Sequence, residues 1–262
     1  MTVMSTTRMS RRHAVVALAA APFASVPRIN PFRVARATIV LVHGAWLGGW
    51  CWRKVTPLLR DAGHDVFAPT LTGLGERSHL LTRDVDLDTH ITDIVQVLEY
   101  EDLTNVVLVG HSYGGMVITG VADKAGDQIS QLVYVDAMLP ENGKTTTDYS
   151  QRKLAPITED SWHDPAREPQ EWGVTDAGDV AWIKKHQTDM PRKCMTQPLQ
   201  LAGDKSRQIK GAYILCSTRP FATEAAQRAK QRGYRYRELL SAGHDVMVTQ
   251  PRELTKILNE LT

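Results

Sequence analysis

The sequence has few cysteines, no closely spaced histidines and no long apolar run, and each shortage excludes a class of protein. Its three cysteines (Cys51, Cys194 and Cys216) cannot all pair, and none lies in a CxxC motif, which argues against a disulfide framework. No two of the nine histidines have the i, i+4 spacing of a helical zinc site. No apolar run reaches the roughly 18 residues that a membrane span needs. We therefore expect no metal and no membrane span.

Acidic residues are missing from the amino-terminal segment. The first 36 residues carry six arginines, no lysine and no carboxylate. The rest of the chain has 25 basic and 29 acidic residues, a formal charge of −4. Because no basic stripe with interleaved aromatic residues remains, we expect no nucleic-acid partner.

That arginine-rich segment is similar to a twin-arginine export signal. Two adjacent arginines, Arg11 and Arg12, precede an alanine-rich run at positions 14–21. We expect residues 1–36 to be this signal or a disordered tail, and residues 37–262 to form the folded domain. The predicted location is periplasmic or secreted, and the alternative is cytoplasmic. Met4 and Met9 are alternative translation starts.

From residue 38 onward, short apolar runs alternate with amphipathic segments. This pattern predicts an α/β fold with a mostly parallel, doubly wound sheet and helices on both faces. Apolar residues at i, i+3, i+4 and i+7 predict helices over 91–98 and 254–261. The predicted strands are 38–42, 64–68, 106–109, 132–135, 212–216 and 234–239.

The stretch from about 138 to 210 interrupts this alternation. It is rich in charges and prolines, and it holds three tryptophans, Trp162, Trp172 and Trp182. Ligands of doubly wound sheets bind beyond the carboxyl ends of the strands, so an insertion at that edge can roof a site. We interpret the stretch as a lid; the alternative is a peripheral decoration that touches no ligand.

One motif carries chemistry: Gly110-His111-Ser112-Tyr113-Gly114, between a predicted strand and a segment suited to a helix. A strand-to-helix turn of this kind needs flanking glycines because it is too tight for side chains, and it lifts the serine hydroxyl clear of the backbone. Ser112 is therefore the candidate nucleophile. By contrast, Gly73-Leu74-Gly75 lacks the third glycine of a dinucleotide loop, so we expect no nucleotide cofactor.

A serine hydroxyl needs a base to accept its proton. His244 follows the last predicted strand and precedes the last helix, which places it at the carboxyl edge of the sheet. It is the candidate base. His43 and His111, which lie within or beside strands, are interpreted as structural residues.

Two carboxylates compete for the role of the acid that orients this base. Asp136 directly follows the strand at 132–135, and the order Ser112, Asp136, His244 is the expected chain order of nucleophile, acid and base. The loop after the strand at 212–216 has no carboxylate before Glu224. We favour Asp136 and keep Glu224 as the alternative acid.

A nucleophilic serine also needs backbone N–H donors for the oxyanion that forms on attack. One is expected from Tyr113, which follows the nucleophile. The other is expected from the loop after the first strand, with Ala45 the first choice and Trp46 the second.

Residues 38–136 and 211–255 resemble the esterase and hydroxynitrile-lyase branch of the α/β-hydrolase superfamily. The resemblance lies in Val40-Leu41-Val42-His43-Gly44-Ala45-Trp46, Gly48-Gly49-Trp50-Cys51-Trp52, Leu108-Val109-Gly110-His111-Ser112-Tyr113-Gly114-Gly115 and Gly243-His244-Asp245. It implies an α/β-hydrolase fold and hydrolysis of a small-molecule carboxylic ester through an acyl-enzyme, without a cofactor. Many members carry their acid after the strand equivalent to 212–216, whereas some dehalogenases carry it where Asp136 lies.

The same resemblance favours the esterases over the lyases. The similar lyases have threonine in place of Gly44 and lysine in place of Asp245, and a lysine helps to hold cyanide. Two alternatives stay open at this point: a hydrolase-fold protein that binds a small ligand without turnover, and a serine hydrolase of another acyl bond, such as an amide, a lactone or an activated C–C bond. The sequence does not indicate the oligomeric state.

Overall fold

The computed structural model describes residues 36–150, 154, 156–159, 161–203 and 205–262. The predicted export signal, apart from Arg36, lies outside the described residues. None of the helices in this part of the chain has the length and apolar character that crossing a membrane requires.

A six-stranded, entirely parallel sheet runs through the domain, with the strand order β2-β1-β3-β4-β7-β8. A separate antiparallel pair, β5 and β6, lies in the insertion. The strands are β1 Thr38–Val42, β2 Asp65–Phe67, β3 Val106–His111, β4 Ile129–Val135, β5 His163–Asp164, β6 Met190–Pro191, β7 Lys210–Leu215 and β8 Arg235–Glu238.

The central strands are buried on both faces, which explains why their sequences are apolar throughout. In β1, Val40 and Val42 pack into one core cluster while Ile39 and Leu41 pack into a second on the opposite face. Helices α2, α3 and α7 cover the first cluster, and α1, α8 and α9 cover the second. The helices are α1 Thr56–Asp61, α2 Leu87–Tyr100, α3 Gly114–Ala125, α4 Thr146–Ser150, α5 Ala177–His186, α6 Arg192–Thr196, α7 Pro220–Gln231, α8 Val246–Thr249 and α9 Pro251–Leu261.

Each predicted strand corresponds to a strand of the sheet, and both predicted helices lie within α2 and α9. The largest difference is at β4, which begins at Ile129 rather than at 132. Ser130 and Gln131 interrupt the apolar run there, yet Gln131 pairs with β3 and β7 through its backbone. Strand pairing is a backbone property, so a polar side chain does not end it.

The insertion between β4 and β7 packs against the domain through polar contacts as well as apolar ones. The Trp46 Nε1–H donates to the Asp164 carbonyl at 3.1 Å, and the Thr188 N–H donates to the Trp46 carbonyl at 3.0 Å. Lys54 and Asp179 form an ion pair of 2.6 Å. The insertion is therefore tied to the loop after β1, next to the carboxyl edge of the sheet.

We predict that Gly115→Ala destabilises the fold. A Cβ at this position of α3 would lie 1.9 Å from the backbone oxygen of Met138, and a backbone atom cannot swing away as a side chain can. We expect a loss of about 1–3 kcal/mol in the free energy of unfolding, measured by urea titration. Gly203→Ala is the control, because an added Cβ there meets no described atom within 4 Å. An equal loss in the two variants would contradict the packing argument.

Candidate active site

Ser112 lies in the tight turn between β3 and α3, with a backbone φ of 53°. This left-handed conformation is uncommon for a residue with a side chain, and it is typical of strained functional positions. The Ser112 N–H donates to the Val135 carbonyl at 3.3 Å, and the Ser112 carbonyl accepts from the Met138 N–H at 3.0 Å. The turn is thus braced from both sides by the end of β4.

The flanking glycines are required by space. A Cβ at Gly110 would lie 2.7 Å from the Gly114 carbonyl oxygen, and one at Gly114 would lie 2.9 Å from the carbonyl oxygens of Val42 and His43. The glycine pattern recognised in the sequence therefore reflects the close approach of three chain segments.

His244 and Asp136 complete a chain of hydrogen bonds that starts at Ser112. The His244 Nε2 lies 2.9 Å from the Ser112 hydroxyl oxygen, and its Nδ1 lies 2.7 Å from an oxygen of the Asp136 carboxylate. His244 is 3% exposed. With Nδ1–H donating to the carboxylate, Nε2 is the acceptor of the hydroxyl proton.

The His244 loop is positioned by the insertion. The His244 N–H donates to the Trp172 carbonyl at 2.9 Å, and Gly243, with φ of 73°, packs against Gly173. A Cβ at Gly243 would lie 3.1 Å from the Gly173 Cα, so the two glycines allow the loops to touch.

Asp136 is fully buried and directly follows β4 in a left-handed conformation, with φ of 44°. Its carboxylate accepts the Cys216 N–H at 2.8 Å, the Ser217 N–H at 2.9 Å and the Ser217 hydroxyl at 2.5 Å, besides the bond from His244. Burial opposes ionisation, but the hydrogen bonds from His244, Ser217 and Cys216 outweigh it and lower the pKa of Asp136. The carboxylate is therefore ionised at neutral pH.

The alternative acid, Glu224, lies elsewhere. It is exposed on α7, and no described residue forms a hydrogen bond or ion pair with its carboxylate. The loop after β7, where many similar proteins carry the acid, contributes hydrogen-bond donors here. Ser217 and the backbone N–H of Cys216 donate to Asp136. The structure brings together Ser112, His244 and Asp136, and not Glu224.

The three predicted oxyanion donors adjoin Ser112. Ala45 and Trp46 line two cavities that both reach Ser112, and Tyr113 lines one of them. The Tyr113 phenol is turned into the core, where its hydroxyl lies 3.0 Å from the Nδ1 of His90. Only the backbone of Tyr113 is therefore available to a ligand at Ser112.

His43 and His111 have structural contacts, as the sequence analysis expected. The His43 Nε2 accepts the Leu71 N–H at 3.0 Å, and burial lowers the pKa of His43 to about 3. The His111 Nε2–H donates to the His244 carbonyl at 2.9 Å, and burial holds the pKa of His111 well below its ordinary value. Both rings are neutral, and His111 also anchors the backbone of the candidate base.

His111, His244 and Asp245 are close enough for a metal ion, since their potential ligand atoms lie within 4.8 Å of one another. However, both His244 nitrogens already bond to Ser112 and Asp136, and the His111 Nε2 bonds to a carbonyl. A metal here would have to displace the contacts of the candidate base. That the protein needs no metal stays a prediction.

The sequence patterns do not predict every residue that lies at the site. Trp172, Ser217 and Arg219 are three that they leave unmarked. The Trp172 ring lies 5.1 Å from the His244 ring and 5.8 Å from the Trp46 ring, and the Arg219 guanidinium lies 4.2 Å above it. The predicted lid therefore forms a wall of the site through Trp172. No local sequence signal marks these three residues, because each acts through a contact with a distant part of the chain.

Comparison with known proteins agrees with this architecture. Residues 39–257 match the alpha/beta hydrolase family. The chain is 39% identical over 241 residues to a carbendazim hydrolyzing esterase from Nocardioides sp., covering 86% of this chain and 99% of the relative. It is 27% identical over 252 residues to polyneuridine aldehyde esterase from Rauvolfia serpentina, covering 85% of this chain and 94% of the relative.

A solved structure is similar over the same range. A methylesterase from Arabidopsis superposes with a TM-score of 0.71 at 24% identity, covering 86% of this chain and 98% of the other. At this identity the likeness concerns the fold.

We predict that Asp245→Asn stabilises the protein at neutral pH. Burial raises the pKa of Asp245 from 3.8 to about 6, so ionisation costs the folded state more than the unfolded state. The cost is absent below about pH 4 and grows between about pH 4 and 6. Above about pH 6 it reaches its full value of about 3 kcal/mol in the free energy of unfolding. Urea titrations at several pH values should show a gain for the variant at pH 7 that vanishes at low pH. Asp127→Asn, at an exposed position, is the control and should show no such trend. A gain of the same size at every pH would contradict the electrostatic explanation.

Proposed function

The chain belongs to the alpha/beta hydrolase family, in its esterase branch, and we propose that it hydrolyses small apolar carboxylic esters through Ser112 and an acyl-enzyme. The observation that carries the proposal is the chain of hydrogen bonds from Ser112 through His244 to Asp136. The esterases found among its relatives support the reaction class.

In the first half of the proposed reaction, the Ser112 oxygen attacks the ester carbonyl carbon while its proton passes to the His244 Nε2. The backbone N–H groups of Tyr113 and Ala45, with Trp46 as the second choice, stabilise the negative charge on the carbonyl oxygen. The intermediate then expels the alcohol, which takes the proton from His244, and the acyl group stays on Ser112.

In the second half, water replaces the alcohol. It gives a proton to His244 and attacks the acyl carbon, and the acid leaves as Ser112 regains its proton. Throughout, Asp136 stabilises the positive charge that His244 carries between the two transfers. Its lowered pKa supports this role, because a neutral carboxyl group could not offset that charge.

Space at Gly44 supports ester hydrolysis over cyanohydrin cleavage. A Cβ at this position would lie 2.9 Å from the His111 Nδ1 and 2.9 Å from the Ser112 Cβ. The threonine of the similar lyases would therefore not fit here without moving the nucleophile. Asp245, where those lyases have lysine, is an acid buried beside His111, with 4.0 Å between its carboxylate and Nε2.

We predict that Ser112→Ala abolishes esterase activity. Removal of the attacking oxygen should lower kcat by about 10⁴-fold or more, measured with phenyl butyrate. The wild type should also release phenol in a burst when deacylation is slow, and the variant should not. Ser78→Ala, at an exposed position, is the matched control and should keep full activity. Retention of most activity by Ser112→Ala would refute the proposed mechanism.

The two candidate acids can be separated by amide substitutions. Asp136→Asn should lower kcat by about 10³–10⁴-fold, because an amide can neither fix the His244 tautomer nor offset its positive charge. Glu224→Gln should stay within about twofold of the wild type, since its side chain is exposed on α7. Steady-state kinetics on the same ester checks both, and the reverse pattern would reassign the acid.

A further inference from the structure

Two cavities of different chemistry meet at Ser112. The first, the apolar cavity, is lined by side chains from the core, the insertion and α7, among them Met138, Met195 and Phe221. The second, called here the polar cavity, is lined by Arg167, Gln187, His244 and Asp245, and also by apolar side chains such as Leu47 and Ile183. An ester bound at Ser112 has two halves. The apolar and polar cavities have volumes of about 40 Å³ and 20 Å³, so each must widen when it takes one of these halves.

The guanidinium of Arg167 is the distinctive group of the polar cavity. Arg167 is half-buried, and no described residue forms a hydrogen bond or ion pair with its side chain. The side-chain amide of Gln187 likewise bonds to no described residue. In contrast, other cations near this site are engaged: Lys184 pairs with Glu168 at 2.6 Å, and Arg219 lies over Trp172. A half-buried guanidinium without a protein partner is free to donate to an acceptor on a ligand, and its planar group of donors suits a carboxylate.

The position of His244 decides which half of the ester enters which cavity. In the proposed reaction, the leaving alcohol takes its proton from the His244 Nε2, so the alcohol must lie beside this nitrogen. His244 lines the polar cavity and not the apolar one. The alcohol half therefore lies in the polar cavity, and the acyl half lies among Met138, Met195 and Phe221.

We propose that Arg167 is a specificity-determining residue that binds a carboxylate on the alcohol half of the substrate, with the Gln187 amide as a second donor. The inference rests on the proposed function. It keeps the apolar acyl half of the proposed substrate but replaces the apolar alcohol with one that carries a carboxylate. The Asp245 carboxylate lines the same cavity, but only 5% of its side chain is exposed, so Arg167 presents the more accessible charge.

The test compares esters that carry a carboxylate on the alcohol half, on the acyl half or on neither half. The substrates are phenyl butyrate, meta- and para-carboxyphenyl butyrate, and monophenyl glutarate, which carries its carboxylate on the acyl half. The enzymes are the wild type, Arg167→Met and Arg167→Lys. Arg252→Met removes the same charge from an exposed position on α9 and is the matched control. Differences in the intrinsic reactivity of the esters cancel when each variant is compared with the wild type on the same ester.

We expect Arg167→Met to lower kcat/KM roughly tenfold or more on at least one carboxyphenyl butyrate, chiefly through KM, as the loss of a charge-assisted hydrogen bond does. The change on phenyl butyrate and monophenyl glutarate should stay within about twofold. Arg167→Lys should restore part of the loss, and Arg252→Met should behave as the wild type. A merely structural role of Arg167 would lower activity on all four esters alike.

Two results would overturn the inference: no loss on either carboxyphenyl ester, or an equal loss on monophenyl glutarate or phenyl butyrate. Binding of the meta- and para-hydroxybenzoate products, measured by calorimetry with the wild type and Arg167→Met, needs no turnover. If none of the four esters is hydrolysed but Arg167 still governs this binding, the proposed function fails and the assignment of Arg167 stands. If Arg167→Met binds both hydroxybenzoates as the wild type does, the assignment fails.

Discussion

The buried negative charge of Asp136 is the constraint on which the rest of the site depends. A carboxylate without water must have its lone pairs occupied, and here four hydrogen bonds come from His244 and from the chain after β7. Those donors converge only because β4 and β7 are neighbours in the sheet and end at the same edge. The strand order therefore determines where the donors to Asp136 lie. These donors stabilise the buried carboxylate in its ionised form, and the carboxylate orients His244 through their hydrogen bond.

The candidate nucleophile and candidate base are recognisable in the sequence because each lies in a local pattern with a physical cause. The Gly110-His111-Ser112-Tyr113-Gly114 turn needs its glycines for space, and His244 directly follows the last strand. The sequence favours Asp136 over Glu224 because Asp136 follows a strand end, and in the structure the Asp136 carboxylate lies 2.7 Å from the His244 Nδ1. The residues that hold Asp136 could not be predicted in the same way. Ser217, for example, lies in a loop that carries no carboxylate. Its hydrogen bond to Asp136 can be foreseen only when the strand beside β7 is known.

The structure of the insertion is even harder to predict from local sequence patterns. Its short helices and two-residue strands have little periodicity, and the sequence indicates only that the alternation of strands and helices stops. What stabilises it is contact with distant residues: Trp50 against Trp182, with ring centroids 5.0 Å apart, Lys54 with Asp179, and Trp46 with Trp172. Such contacts depend on the complete fold. Arg167 and Trp172 line a cavity together with Ser112, so the least predictable segment contributes side chains to the candidate site.

The turn at Ser112 and the end of β4 brace each other through the Ser112–Val135 and Ser112–Met138 hydrogen bonds, and Gly115 lies against the Met138 carbonyl. The turns at Ser112 and Asp136, both with left-handed backbone conformations, therefore support each other through these backbone contacts. A designer who wished to graft this chemistry onto another scaffold would have to transplant both turns together with their parallel strands. The coupling runs through backbone groups, so a substitution of the Asp136 side chain alone would leave both hydrogen bonds to Ser112 in place.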